Sequence, residues 1–524
     1  MHTHRGAAGF LTVLVMACGL ALGGLISPAS AKTIVVTTLD DIADPPFNAD
    51  GVCGTGTVSD LPANGPVSLR EAIIAANNTP GEHTITFDPS LKSGGKTIVV
   101  NFDDLDPDST PDPLPALCGG QTSINGDLDG DGVPDITLEG DELPIAAPPV
   151  AAAGLLVISS HNTLNGLQVQ HFPIGIQMRA GNFTNPGTVM HTTVTNNIVA
   201  ASKIDGIVVR TGNVPGSLVA HTTLTHNLVT QNVRFGISIF ANLPGGAGSY
   251  TQLAHTTLTD NEVTENGNTG ILMLSLGDHN VLSDVTLAHN TVSGNSGLGI
   301  EVLGGYAGAE DNTLDVRIQD NAVADNGNRG ILMLAGQDNS SHNHLVARIE
   351  ENTLEQNQVF GIEAVAANGA ADFQTGTSMD NVLDVRIERN TVKNQTGVGI
   401  FVAGGVGSPD GREKAVANNN RNSAIVMHNV VEGSTGIGMV LVAGAAGLSS
   451  SNILDVWVAH NTVCENDLDI IFGRGGFSGN IFFMGIGNML EGRIFQNTVG
   501  AVDVADGTLG NTAAVTVFNN DPCP

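Results

Sequence analysis

Along Leu314-Asp315-Val316-Arg317-Ile318 the side chains alternate apolar and charged, so that Leu314, Val316 and Ile318 share one face and Asp315 and Arg317 the other. That period of two predicts a half-buried strand. Similar segments lead into an asparagine at ten places: Asn197, Asn227, Asn261, Asn290, Asn321, Asn352, Asn390, Asn429, Asn461 and Asn497. Each has an apolar residue three positions before it and Val or Leu two positions after it. Seven of the first eight have Gly-Ile nine positions on, at Gly206, Gly236, Gly270, Gly299, Gly330, Gly361 and Gly399, and the eighth reads Gly438-Met439.

Asparagine spacing varies from 29 to 39 residues while the nine-residue gap to glycine is fixed, which places the variable length in one loop after the glycine strand. A repeat of that size implies stacked units. A propeller blade has a similar length but needs strands ending in free hairpins, and few hairpin signals occur. The prediction is therefore an all-β, single-stranded parallel coil, ten rungs at ~4.8 Å making a rod of roughly 48 Å. Asn is expected in the turns, where it tolerates left-handed backbone angles and can stack in a ladder. Gly is expected to admit a tight bend into the next strand. The pattern resembles the right-handed parallel β-helix of pectate-lyase-like proteins, and the handedness is what that resemblance implies.

Composition narrows the function classes. In 524 residues, 66 are Gly and only 4% aromatic, which suits a narrow coil interior filled by small β-branched and aliphatic side chains. With 20 basic against 52 acidic residues the net charge is -32, which opposes nucleic acid or anionic membranes as partners. Calcium and cationic partners remain open.

The chain divides into 1–31, 32–140, 141–466 and 467–524. Arg5, the apolar run from Ala7 to Ile26 and the small residues Ala29-Ser30-Ala31 read as an export signal with its cleavage site, predicting a secreted or cell-surface protein without an integral span after cleavage. Val15-Met16-Ala17-Cys18-Gly19 offers a lipoprotein reading as an alternative. Cys53, Cys118, Cys464 and Cys523 remain; Cys53 with Cys118 and Cys464 with Cys523 are the local pairings, and four free thiols are the rival. Ser68 and Glu71 stand at capping-box spacing before a short helix that ends near Asn77-Asn78 and would cover the open coil end. At the other end the repeat decays after Cys464, and Phe477, Phe482 and Phe483 suggest a C-terminal cap.

Asp50-Gly51-Val52-Cys53 followed by Val67-Ser68-Leu69-Arg70-Glu71-Ala72-Ile73 resembles the N-terminal Cys-Ser-Leu-Arg-Glu-Ala signature of exported bacterial β-helix proteins. The resemblance implies export and architecture and names no reaction. Val67 stands where that signature has its first Cys; the implied local disulfide to Cys53 is unavailable, and Cys53 is paired with Cys118.

Three groups are candidates for chemistry. Asp127, Asp129, Asp131 and Asp135 around Gly130 and Gly132 form the front of a calcium loop, with Leu138 where a full EF-hand has its last acid, so a bound ion would be structural. His191, His221 and His255 are expected one rung apart on the outer face, either sharing a metal or copied by duplication. Arg317, Arg348 and Arg386 are expected to stack on the same face, with Asp315 and Asp384 neutralising them diagonally. Surface ion pairing of about 1 kcal/mol or less explains that group without catalysis. The resemblance to β-helical polysaccharide lyases supplies the rival, in which Arg abstracts a proton, but Gly-His-Gly and Asn-Thr-Asp segments of β-helical hydrolases are absent. Trp457 is the single aromatic of this strip. The favoured function is a surface or secreted scaffold or binding protein with a polysaccharide or cell-surface partner; the alternative is a polysaccharide lyase or hydrolase.

Overall fold

The computed structural model describes residues 31–44, 52–92, 96–100, 113–140, 153–181, 185–242, 250–369, 377–407, 416–444, 448–466 and parts of 468–523. The export signal with Cys18, the Ala/Pro-rich 141–152 and the tips of the inserts after the glycine strands lie outside the described residues.

Three sheets of 16, 13 and 12 strands run the length of the chain, each turn of the backbone adding one strand to each. Neighbours pair in parallel and in register, so like positions lie over like. In the first sheet Leu224, Leu258, Leu287, Ile318, Ile349, Ile387, Val426 and Val458 form one column. In the third sheet the Ile of each Gly-Ile does the same. An antiparallel pair, Gly476–Ser478 with Ile481–Phe483, is confined to the C-terminal part. The chain is a parallel β-helix, and the propeller is excluded.

Inward columns are dry: Leu314, Val316 and Ile318 are at most 1% exposed. Because the interior is a stack of identical layers, each methyl group touches its counterparts above and below, and the hydrophobic burial is spread evenly along the axis. The predicted asparagine column runs through it as a ladder. Each Asn amide N–H and side-chain Nδ2 donate to the Oδ1 of the Asn one rung on, as from Asn261 to Asn290 at 3.0 and 2.9 Å. Two further ladders escaped the sequence reading. One runs five residues on, through Asn232, Asn266, Asn295, Asn326 and Asn357. The other, through Asn280, Asn312, Asn343, Asn381, Asn420 and Asn452, closes the variable loop. The length variation thus sits where expected, between the third sheet and this last ladder.

Two local readings are corrected by the structure. The ladder asparagines are not themselves left-handed; the residue before each one is, as at His226, Asp260, His289 and Asp320 with φ of 54 to 56°. The turn needs the Asn side chain inside as a hydrogen-bonding strut, and the positive φ falls on its exposed predecessor. Second, the Gly of Gly-Ile has no positive φ; it is there for space, since a Cβ on Gly299 would lie 2.6 Å from both the Gly330 carbonyl oxygen and Val323 Cγ1. In the rung before Asn197 the anchor is not an asparagine. Leu164 pairs with Val194, so the anchor position is Leu167, whose N–H donates to Asn197 Oδ1 at 3.0 Å.

The N-terminal end is covered by helix α1, Leu69–Asn78, begun by the reciprocal Ser68 and Glu71 capping box. Its residues from Leu69 to Ala76 are buried. Arg70 lies fully buried among them and donates through Nε and Nη2 to Asp41 at 2.8 and 2.7 Å, so the buried cation is fully paired. Disulfides join Cys53 to Cys118 beside this cap and Cys464 to Cys523 at the far end.

Candidate functional site

The acidic loop closes the rung that begins at Ile124, which pairs with Leu164, so Asp127 stands at the ladder position where later rungs carry Asn. Its carboxylate accepts from the N–H groups of Gly130 at 2.8 Å and Gly132 at 3.0 Å, folding the loop back on itself. Both glycines are left-handed, with φ of 75 and 83°. Asp135 accepts from the Leu128 N–H at 2.8 Å. One oxygen each of Asp127, Asp129 and Asp135 falls within 4.8 Å of the others. Asp131 is not in that group; it is exposed and accepts from the Val133 N–H at 2.9 Å. The four predicted ligands therefore reduce to three, a set of hard oxygens suited to a cation such as calcium.

On the outer face of the first sheet, Arg317, Arg348 and Arg386 do stack in register. Their partners differ from expectation. Arg317 bonds Glu350 at 3.0 Å and Arg386 bonds Glu388 at 2.7 Å, both acids two residues before a ladder Asn and almost buried. Hydrogen bonding to Glu388 pushes the Arg386 pKa up. Asp384 instead faces His344 at 2.8 Å. The Asp and Glu columns flank the Arg column two residues before and two residues after it, and Arg317 and Arg386 both turn to the Glu side. Arg348, exposed between its neighbours, has no carboxylate within 4.0 Å among the described residues. Trp457, 45% exposed, continues the same column beside Ile425 and Arg493 and leans on Phe495 at 5.6 Å.

The histidine column is longer than the sequence showed. The rings of His161, His191, His221 and His255 stack at 4.7 to 4.8 Å, the ladder shift to Leu167 having hidden His161. Desolvation and the two neighbouring rings lower the His221 pKa. Below this column the strand loses one residue, since Leu282 pairs with Leu314 but Val285 with Val316. The His-bearing rungs therefore carry a bulge that the Asp315 rung and its successors lack.

A second outward surface, on the third sheet, was missed. There Arg234 grips Asp205 with two bonds of 2.9 and 2.8 Å and stacks on Phe235. Arg210, 6% exposed, is lowered to about 10 by burial and by Arg179, partly offset by Asp205. Farther on, Arg329 pairs with Glu363, and burial raises Glu301 although Thr269 donates to it at 3.0 Å. Between these groups the face is apolar, with Leu272, Leu303, Leu332 and Leu334 at most 8% exposed. The available signal was the residue after each Gly-Ile, which reads Val208, Ser238, Leu272, Glu301, Leu332 and Glu363 along successive rungs.

A family model described as "Right handed beta helix region" matches residues 244–420. With the three parallel sheets, this makes the molecule a right-handed parallel β-helix. No curated protein matches the chain. Among solved structures, the A-module of the mannuronan C-5 epimerase AlgE6 of Azotobacter vinelandii is 14% identical, covering 85% of this chain and 91% of that one, with a TM-score of 0.41. The Dettilon tailspike protein is 14% identical over 90% of this chain and 68% of its own, with a TM-score of 0.39. Pectate lyase Pel9A is 12% identical over 78% and 81%, with a TM-score of 0.32. Among the described residues no helix is long and apolar enough to cross a membrane.

Proposed function

We propose that the protein is an exported β-helical binding module that presents the outer face of its first sheet to an extended polysaccharide or cell-surface component and carries out no chemistry on it. The observation that supports this reading is the strip itself: Arg317 and Arg386 are held by Glu350 and Glu388, while Arg348 and Trp457 stay exposed on the same column. A flat row of guanidinium groups and one indole suits a polymer bearing hydroxyl and carboxylate groups, through hydrogen bonds and stacking. Export is supported by the two disulfides and the leader-like first 31 residues. Retention of the purified protein on immobilised acidic and neutral polysaccharides is the test. Trp457→Ala is expected to weaken retention about tenfold, the scale of losing one exposed stacking contact. New reducing or unsaturated ends that disappear in Arg348→Ala would replace this reading with a polysaccharide lyase or hydrolase.

Calcium at Asp127, Asp129 and Asp135 belongs to the same proposal as a structural ion that pins the first full rungs. Millimolar calcium is expected to raise the melting temperature by about 2 °C or more over that in chelator. Asp129→Asn, which leaves the backbone bonds of Asp127 and Asp135 in place, is expected to abolish that difference. A shift that survives in the variant would remove calcium from the loop.

A further inference from the structure

Four consecutive rungs place an imidazole at one point of the outer surface, and the geometry of that column goes beyond repeat duplication. His161, His191, His221 and His255 are all exposed and all left-handed, with φ between 51 and 63°. Identical backbone angles aim their side chains along parallel directions, which is why ring planes differ by only 2 to 18°. The residue that carries each ring is the extra residue of a bulge, a device that turns a side chain out of the regular pleat. The bulge outlasts the histidines by one rung, where Asp284 holds the left-handed position, and is gone in the rung of Asp315.

Partners separate this column from the other histidines. His428 and His460 stack as a separate pair, while five other surface imidazoles face an acid, among them His171 with Glu139 at 2.5 Å, His279 with Asp311 at 3.5 Å and His344 with Asp384 at 2.8 Å. In a chain of net charge -32 that is the expected neighbour. In the column, the next group is another imidazole, and only at its end does His255 Nδ1 meet an acid, Asp284, at 3.1 Å. Among the described residues the ring nitrogens of His161, His191 and His221 have no hydrogen-bond or ion-pair partner, and exposed imidazole nitrogens repeated at one rung suit a borderline metal.

We propose that this column binds divalent copper, nickel or zinc, each ion held by the imidazoles of two adjacent rungs. Bonds of about 2.0–2.1 Å at a tetrahedral centre need nitrogens about 3.3 Å apart. Rings at 4.7 Å reach that separation by tilting toward each other about their side-chain torsions. Three rings cannot close on one ion, because alternate rungs are roughly 9.6 Å apart. The column therefore takes one ion at His161 and His191 and one at His221 and His255, the second with Asp284 beside it, and water completes both shells. Imidazole selects these ions over calcium, which the carboxylate loop suits instead.

Titration of the full chain with copper or nickel ions in excess calcium tests this. The wild type is expected to bind in the micromolar range and His191→Asn with His221→Asn about tenfold or more weaker, Asn being chosen because it accepts the left-handed backbone. His171→Asn, which removes an imidazole that faces Glu139 and belongs to no stack of rings, is expected to change nothing. Should the double variant fold poorly, the wild type still decides: copper is expected to protect the four column histidines, and not His171, from acylation by diethyl pyrocarbonate. Absent binding, unchanged binding in the double variant, equal loss in His171→Asn, or equal protection of His171 would each overturn the proposal.

Discussion

Replacing Asn290 with alanine is expected to destabilise the protein by about 3–5 kcal/mol, because it removes one strut from the middle of a buried ladder and leaves its neighbours' polar groups unsatisfied. Asn290 Oδ1 accepts from both the N–H and the Nδ2 of Asn261 at 3.0 and 2.9 Å. Its Nδ2 donates to the Leu258 carbonyl and to Asn321 Oδ1, both at 2.9 Å. Alanine keeps the main-chain bond to Asn321 and loses the rest. The side chain is 1% exposed, so water cannot replace the missing acceptor without opening the coil. Leu167 stands at this position in an earlier rung, which shows that an apolar residue fits the space; the penalty comes from polarity rather than shape. Urea unfolding checks it, with Thr291→Ala on the solvent side of the same rung as the reference. A midpoint equal to that reference would mean that the ladder adds nothing beyond packing.

An alanine at Gly299 is expected to cost about 3 kcal/mol for the opposite reason, too much matter where two rungs meet. The added Cβ would lie 2.6 Å from the Gly330 carbonyl oxygen, 2.6 Å from Val323 Cγ1 and 2.9 Å from Asn326 Nδ2. A backbone oxygen that belongs to the neighbouring rung cannot rotate away, so the parallel bonds of the third sheet must lengthen. Gly294 is the control. It has a positive φ of 65° but its nearest neighbour is 3.8 Å away, and Glu265 and Asp325 occupy the same place in adjacent rungs. Gly294→Asn is expected to be close to neutral by thermal unfolding, while Gly299→Ala unfolds well below the parent. Equal melting temperatures for the two variants would show that backbone angle, not rung contact, is what conserves space there.

How much of the site was legible follows from what a repeat encodes. The stacking of Arg317, Arg348 and Arg386, and of His191, His221 and His255, could be written down from spacing alone, since in-register rungs map sequence offset directly onto surface columns. Partner choice could not. Glu350 and Glu388 were passed over as partners of the arginines, and Arg386 took Glu388 rather than Asp384 because side-chain reach on a pleated surface decides among several acids within one rung. His161 was invisible because its rung puts Leu167 at the anchor. The third-sheet surface of Asp205, Arg210 and Glu301 was missed because its polar residues are scattered among leucines and break no period.

By itself the sequence determined the winding: a period-two face, an asparagine with fixed neighbours and a fixed gap to Gly-Ile leave parallel stacking as the arrangement in which like side chains meet. It also determined the cap helix through the Ser68 and Glu71 spacing, a signal confined to one turn of chain. Only the tertiary structure decided which member of each turn bears the left-handed angle, why the glycines are needed, and which three acids of the Asp127 loop converge. Those depend on contacts between residues some 30 positions apart, as from Gly299 to Gly330, and distances across a rung are set by the neighbouring backbone rather than by any local preference.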